Sequence, residues 1–144
     1  MNVRTWVVLA LVLAAASGCN AEDSPSSGDP HPPDSGEERM LAERYREFVG
    51  ALERRDADAV CGQLERELAA AYSCRDGWVQ IPRELRGLDV PLDEIFAARD
   101  PAVGNEIQIS SRTRRSDGAR LILFYRQGDD REWRIREAML GSYG

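Results

Sequence analysis

The fold is decided by residues 105–137, which read NEIQISSRTRRSDGARLILFYRQGDDREWRIRE. Apolar and polar side chains alternate through much of this stretch, and a period of two residues is typical of a strand buried on one face. Three strand-like runs are joined by two turn sequences, with the strands at 107–113, 121–125 and 133–137 and the turns at 116–118 and 128–130. The stretch therefore predicts an antiparallel meander.

Helices are predicted upstream of the meander. Ser35 and Glu38 have the spacing of a capping box, in which each side chain accepts a hydrogen bond from the other residue's backbone N–H at a helix start. The helix should run to about residue 55, because apolar side chains recur at the spacing of one buried helical face. These are Leu41, Tyr45, Phe48, Val49 and Leu52. Asp56 then caps a second helix, whose pattern continues to Tyr72.

Helices followed by a meander define an α+β fold. We predict that the N-terminal helices pack on one face of an antiparallel sheet. An additional edge strand is expected near residues 94–97, between Pro91 and Pro101.

The N-terminus has the pattern of an export signal. Residues 1–4 carry one positive charge, residues 6–16 are apolar, and Ser17-Gly18 place small residues before Cys19. The apolar run is too short to span a bilayer, which takes about 20 residues, and its end resembles the bacterial lipobox, whose cysteine thiol receives diacylglycerol. We therefore predict a lipoprotein signal peptide over 1–18 and lipidation at Cys19, with an ordinary secretory signal or an uncleaved anchor as the alternatives.

This anchor predicts both the domain organisation and the location of the protein. Residues 19–36 hold the lipidated cysteine and a spacer rich in Pro, Ser, Asp and Gly, which we interpret as disordered. Residues 37–144 are long enough for a single α+β domain. The expected location is the extracytoplasmic face of the cell membrane, with the membrane as a partner through the lipid anchor.

Cys61 and Cys74 remain as a pair in a compartment that permits disulfides. A straight helix between them would separate their Cα atoms by about 20 Å, whereas a disulfide needs about 7 Å or less. We predict a disulfide between them, so the helix should break near residues 62–65 and a separate short helix should follow over 65–72. Two buried free thiols or half of a metal site are the alternatives.

Composition argues against several classes of partner. The net charge is -6 and the arginines form no concentrated basic stripe, so nucleic acid is not expected. The single histidine, His31, lies in the predicted spacer, and no closely spaced cysteine motif occurs. We therefore predict no metal and no cofactor.

Several motifs resemble a known family. They are 53-ERRDA-57 at a helix end, Val60-Cys61 in the next helix, the later Cys74, and the strand sequence 128-GDDREWRI-135. Together they resemble the nuclear-transport-factor-two-like superfamily, which includes ketosteroid-isomerase-like domains, and more narrowly its small actinobacterial lipoproteins. The resemblance covers most of residues 37–140 and implies a cone, in which a curved antiparallel sheet wraps around helices and leaves a pocket at its open end.

The sequence supports two functional hypotheses and leaves open a third, a purely structural envelope-associated lipoprotein without a pocket. The first is a non-catalytic module that binds a small ligand in the cone or docks an envelope protein on the sheet. The second is an isomerase or cyclase that uses Glu137, which alternates in phase with Trp133 and Ile135 and is therefore predicted to face the interior. Most such carboxylates are structural, so no catalytic residue is assigned.

Four arginines on the predicted strands form another candidate surface. They are Arg112, Arg114, Arg134 and Arg136. On one sheet face they would form a modest anion or protein-docking surface, and the alternative is a solvated face with interleaved acids.

Overall fold

The computed structural model describes residues 28–76, 80–100 and 102–142, and these residues form an α+β fold as predicted. The helices are α1 Gly36–Arg54, α2 Ala57–Cys61 and α3 Arg66–Ala71. The strands are β1 Ile95–Arg99, β2 Glu106–Arg112, β3 Arg120–Gln127 and β4 Trp133–Gly141. Short 3-10 turns lie at Cys74–Asp76 and Arg83–Leu85. The predicted signal peptide and Cys19 lie outside the described residues.

Helix α1 begins at the predicted capping box. The Ser35 hydroxyl accepts a hydrogen bond from the Glu38 backbone N–H at 3.1 Å, and the Glu38 carboxylate accepts one from the Ser35 N–H at 3.4 Å. The helix ends before Arg55, which adopts a left-handed conformation with φ of 55°. Leu41, Tyr45, Phe48 and Val49 of its apolar face are buried as the helical spacing predicted, whereas Leu52 is partly buried.

The predicted break in the second helix is confirmed. Asp56 caps α2 by accepting a hydrogen bond from the Ala59 N–H at 3.1 Å, and α2 ends at Cys61. The chain then turns before α3 begins, which brings the Cys61 and Cys74 Cα atoms to 5.9 Å. The two cysteines form a disulfide, so the pairing favoured by the sequence is present.

The four described strands form an antiparallel sheet in the order β1-β2-β3-β4. Helix α1 packs against β1 and β2, and the Tyr45 hydroxyl donates a hydrogen bond to the Leu121 carbonyl oxygen at 2.9 Å. Residues 63–65 add a short parallel pairing beside Ile135, with the Ile135 N–H donating to the Gln63 carbonyl oxygen at 2.7 Å. One face of the sheet and the buried face of α1 therefore form the core.

The predicted inward orientation of Glu137 is wrong. The register of β4 shifts, because Ile135 lies opposite Tyr125 whereas Glu137 lies opposite Phe124, which leaves Arg136 as the extra residue of a β-bulge. Ile135 is fully buried, but the Glu137 side chain is 48% exposed and lies 3.5 Å from the Arg136 guanidinium. The bulge places two successive polar residues on the outer side of the strand.

The end of the predicted spacer packs on the domain, so the expectation that all of 19–36 is disordered needs correction. The His31 backbone N–H donates to the Ala97 carbonyl oxygen at 2.9 Å, and the Ala97 N–H donates back at 2.8 Å. This bridge lies on the outer edge of β1. Pro30 and Pro32 flank His31 and lack backbone N–H groups, so they offer no donor to a further strand.

Within the described residues, no helix is long and apolar enough to cross a membrane.

Candidate functional site

The space between α1 and the sheet is filled by side chains. Phe48 and Ile107 are fully buried, and Trp133 is 6% exposed. These three residues occupy the region in which the isomerase hypothesis required an open pocket with Glu137 inside it. Because Glu137 lies on the outer side of β4, the described residues do not bring it together with an interior cavity.

Glu38 is the only carboxylate among the buried residues of the described ranges. Burial would raise the pKa of this carboxyl, but the hydrogen bond from Arg99 Nε at 2.7 Å and those from the backbone N–H groups of Asp34 and Ser35 outweigh it and lower the pKa to about 2. A carboxylate held ionised in this way is a weak base. Glu38 therefore has a structural role, because it caps α1 and forms an ion pair with Arg99.

His31 and Asp34 lie beside Glu38, with potential ligand atoms all within 4.8 Å of one another. Both oxygens of Glu38 already accept hydrogen bonds, Oε1 from Arg99 and Oε2 from the backbone N–H of Asp34 at 3.0 Å. His31 Nδ1 lies 2.9 Å from the Pro32 carbonyl oxygen. These contacts explain the cluster as the junction between α1 and the segment around His31, which pairs with β1.

The strongest candidate for a binding site is an apolar groove with a volume of about 770 Å³ at one end of the helix layer. Its apolar lining residues are Val49, Leu52, Ala57, Val60, Ile81, Leu85, Leu88, Val90 and Leu121. All of these are aliphatic, and none of the described lining residues is aromatic. We call this feature the aliphatic groove.

Two walls form the aliphatic groove. The first wall consists of the last turns of α1 and the start of α2, and it presents Val49, Leu52 and Val60. The second wall is the segment 80–90, whose centre is the 3-10 turn Arg83–Leu85. Helix α1 positions the first wall through its burial against the sheet, whereas the second wall has no long regular element.

Local contacts stabilise the shape of the second wall. Leu85 is 3% exposed and anchors the wall in the core, and its backbone N–H donates to the Pro82 carbonyl oxygen at 2.9 Å. Arg86 Nε donates to the Ile81 carbonyl oxygen at 2.9 Å. Gly87 follows with φ of 66°, a conformation that glycine adopts without steric cost. The wall therefore folds back on itself beside the groove.

Charged residues of both signs border the aliphatic groove. Glu53 and Asp56 provide two carboxylates, and Arg55 and Arg86 provide two guanidinium groups. All four residues are exposed. Because the charges at this border balance, they favour a ligand that carries no net charge. The apolar lining therefore determines which ligands the groove binds.

Three of the four arginines of the predicted basic surface are paired with acids, whereas Arg112 is exposed. The pairs are Arg114 with Asp89 at 3.6 Å, Arg134 with Asp130 at 2.7 Å, and Arg136 with Glu106 at 2.9 Å. Beside them, Arg126 contacts Glu65 at 2.6 Å in a polar groove of about 570 Å³. The hydrogen bond from Arg126 lowers the pKa of Glu65 and outweighs its burial. This pairing favours the alternative interpretation, a solvated sheet face with interleaved acids.

Comparisons with known proteins give no match, since no family model, no curated protein and no solved structure matches this chain. Membership of the nuclear-transport-factor-two-like superfamily therefore stays a prediction that rests on the motifs quoted above.

Sequence reasoning missed the second wall of the aliphatic groove. Its apolar residues Ile81, Leu85 and Leu88 have helical spacing and Val90 follows them, but Pro82, Gly87 and Pro91 interrupt the pattern, and only the 3-10 turn Arg83–Leu85 forms. The available signal was the presence of four apolar residues in a stretch rich in turn-forming proline and glycine. A solvent-exposed loop gains no stability from apolar side chains.

Proposed function

We propose that this chain is an extracytoplasmic lipoprotein, anchored through Cys19, whose domain binds a small apolar ligand in the aliphatic groove. The observation that carries this proposal is the lining of the groove, in which aliphatic side chains from α1, α2 and the segment 80–90 surround a volume of about 770 Å³. Ligand pockets of a few hundred Å³ or more with mostly apolar linings are typical of small-molecule sites.

The lining indicates the chemical class of the ligand. Aliphatic side chains on both walls suit a flexible hydrocarbon chain, and the balanced charges at the border suit an uncharged or zwitterionic head. Each buried methylene contributes about 0.8 kcal/mol, so a chain of about ten carbons contributes roughly 8 kcal/mol. Association costs about 4 kcal/mol or more. The remaining free energy of about 4 kcal/mol corresponds to a dissociation constant of about 1 mM.

The superfamily and the cone, which were predicted from the resemblance, are part of this proposal. We place the domain in the nuclear-transport-factor-two-like superfamily, with the aliphatic groove at the open end of the cone. The α+β layers, the paired cysteines and the filled interior around Phe48 support a binding module more than the isomerase or cyclase alternative. Glu137, the carboxylate on which that alternative depended, is exposed on the opposite side of the sheet from the core.

Substitution of Leu88 with glutamate should weaken ligand binding by at least about tenfold, because it removes an apolar contact of the ligand and places a charged group in the aliphatic lining. The test uses the full chain carrying Cys19→Ser, since detergent or bilayer would compete for an aliphatic ligand. Binding of the uncharged fluorescent probe dansyl-dodecylamide and its displacement by decanol are measured.

The matched control is Met139→Glu, because Met139 is 38% exposed and does not line the aliphatic groove. We expect this variant to bind the probe as the parent does. Loss of binding in Met139→Glu with retention in Leu88→Glu would assign binding to the outer sheet face and contradict the proposal. Absence of binding to the parent protein would contradict it as well.

The anchor is tested separately on protein exported in a bacterial host. Mass spectrometry of the mature N-terminus should show cleavage before Cys19 and a mass increase from the attached acyl chains. Cys19→Ser should abolish this increase and release the protein from the membrane fraction. An unmodified Cys19, or cleavage at another position, would rule out the lipoprotein assignment.

A further inference from the structure

We propose that Arg86 binds the head of the ligand, and that the ligand is a straight-chain amphiphile whose uncharged head carries a carbonyl oxygen together with an N–H or O–H donor. The inference rests on the proposed function, because it concerns the orientation and the chemical class of the ligand in the aliphatic groove.

Burial divides the lining of the aliphatic groove into a deep part and an outer part. The deep part consists of apolar residues that are at most 6% exposed, namely Val49, Val60, Leu85, Val90 and Leu121. Three further apolar residues of the lining are partly buried, namely Leu52, Ile81 and Leu88. The charged residues of the lining are exposed. Because burial of apolar surface is favourable, the hydrocarbon end of the ligand occupies the deep part and its polar head lies at the border.

The charges at the border are divided unequally between the two walls. The first wall contributes the carboxylates of Glu53 and Asp56 and the guanidinium group of Arg55, which leaves one net negative charge. The C-terminal end of α1 lies in the same wall, and the carbonyl groups at such an end add negative potential. Among the described residues of the second wall, Arg86 is the one charged residue that lines the groove.

The Arg86 side chain is held on the second wall with donors to spare. Its Nε donates to the Ile81 carbonyl oxygen at 2.9 Å, and its backbone N–H donates to the Arg83 carbonyl oxygen at 3.3 Å. None of the described residues accepts a hydrogen bond from its two Nη atoms. Ile81 itself lines the groove, so this contact keeps the guanidinium group at the border. The Nη atoms are therefore available to donate to an oxygen of the ligand.

The two walls together indicate the chemistry of the head. A carbonyl oxygen accepts hydrogen bonds from a guanidinium group without adding a charge. A carboxylate would also accept them, but Glu53 and Asp56 at the same border would repel it. These two carboxylates instead favour a head that donates a hydrogen bond. An uncharged head with both a carbonyl oxygen and a donor therefore fits both walls.

The orientation is tested with the isotope-labelled full chain carrying Cys19→Ser and with unlabelled decanamide, by isotope-filtered nuclear Overhauser effects. We expect contacts between the terminal methyl group of decanamide and the side chains of Val90 and Leu121. The methylene group next to the carbonyl should contact Arg86. The reverse pattern, with the methyl group at Arg86, would overturn the orientation.

The class of the head is tested by displacement of dansyl-dodecylamide. Decanamide and monodecanoylglycerol carry both a carbonyl oxygen and a donor, whereas methyl decanoate has no donor. If burial of apolar surface alone determined the affinity, methyl decanoate would bind most tightly, because its head is the least polar. We expect instead that decanamide or monodecanoylglycerol binds about threefold more tightly than methyl decanoate. The tighter of the two identifies the donor as N–H or hydroxyl, and tightest binding of methyl decanoate would overturn the assignment of the head.

Substitution Arg86→Gln should weaken the binding of decanamide about fivefold, and Arg86→Lys should retain part of the affinity, because an ammonium group still donates to an oxygen. The matched control is Arg83→Gln, since Arg83 is an exposed arginine of the same 3-10 turn that does not line the groove. This control should bind decanamide as the parent does. Unchanged amide shifts of Leu85 and Leu88 in the ligand-free variants would show that the wall keeps its conformation.

Equal losses of affinity in Arg86→Gln and Arg86→Lys would attribute the effect to the contact with Ile81 and would overturn the role of Arg86 in binding the head. If decanamide contacts the groove and Arg86→Gln binds it as the parent does, the assignment of Arg86 fails while the proposed function stands. If none of the ligands contacts either wall, the proposed function fails and this inference fails with it.

Discussion

Replacing Glu38 with alanine should lower the free energy of unfolding by about 3 kcal/mol. The carboxylate is 2% exposed, it forms half of the capping box of α1, and it accepts a hydrogen bond from Arg99 on β1 at 2.7 Å. Removing it breaks a cap, worth about 1 kcal/mol, and leaves Arg99 without its buried partner. Urea unfolding followed by circular dichroism measures this change.

Glu37→Ala is the matched control for this experiment. Glu37 also contacts Arg99, at 3.0 Å, but its side chain is 51% exposed. Exposed ion pairs contribute about 1 kcal/mol or less, so this variant should lie close to the parent protein. Equal destabilisation by the two variants would contradict the assignment of Glu38 as the carboxylate that joins α1 to β1.

The same carboxylate predicts a dependence of stability on pH. Because its pKa is lowered from 4.5 to about 2 in the folded protein, Glu38 contributes stability that is present above pH 4.5 and is lost as the pH falls towards 2. Other paired carboxylates add to the acid sensitivity of the parent. The difference in stability between parent and Glu38→Ala should therefore shrink across this pH range.

Replacing Phe48 with alanine should lower the free energy of unfolding by about 3 to 5 kcal/mol. Phe48 is fully buried between α1 and the sheet, where it belongs to the same cluster as Ile107 and Tyr45. Truncation removes apolar contacts and leaves a cavity that a fixed helix closes poorly. The midpoint of urea unfolding should shift downwards while α1 keeps its helical signal in the folded state.

Met40→Ala tests whether the effect depends on burial. Met40 lies on the same helix as Phe48 but is 39% exposed. Alanine has a helix propensity at least equal to that of methionine, so the stability should change by about 0.5 kcal/mol or less. A loss similar to that of Phe48→Ala would contradict the placement of the core on the sheet side of α1.

The regular elements were predictable from the sequence because their patterns are local. The alternation at 107–113 and the helical spacing from Leu41 to Leu52 each report burial of one face, and the structure has β2 at Glu106–Arg112 and α1 at Gly36–Arg54. The break after Cys61 was predictable for another reason, since covalent geometry excludes a disulfide across a straight helix.

The orientation of Glu137 was not predictable from simple alternation, because a single extra residue in β4 changes the phase. The sequence after Glu137 does indicate the change of phase. Ala138 and Leu140 are out of phase with Trp133 and Ile135 and also pack against the core. Two apolar pairs in opposite phase within one strand indicate a bulge between them.

The docked segment around His31 and the second wall of the aliphatic groove depend on tertiary contacts. Prolines near His31 predict an extended chain, but its bridge to Ala97 requires the edge of β1 to lie beside it. Likewise, Leu85 is buried in an irregular segment that the hydrogen bond between the Arg114 N–H and the Asp89 carbonyl oxygen holds beside the sheet. The spacing of apolar residues within a segment does not show which distant segments will pack against it.

Binding of an aliphatic ligand in the groove is tested most directly by nuclear magnetic resonance. The ¹⁵N-labelled chain carrying Cys19→Ser is titrated with decanol, and amide shifts are mapped on the structure. We predict that the largest shifts occur at residues of the two walls, such as Val60, Leu85 and Leu88, and at Leu121 beneath them. Shifts concentrated around Phe124 and Met139 on the outer sheet face, or no shifts at all, would contradict the account.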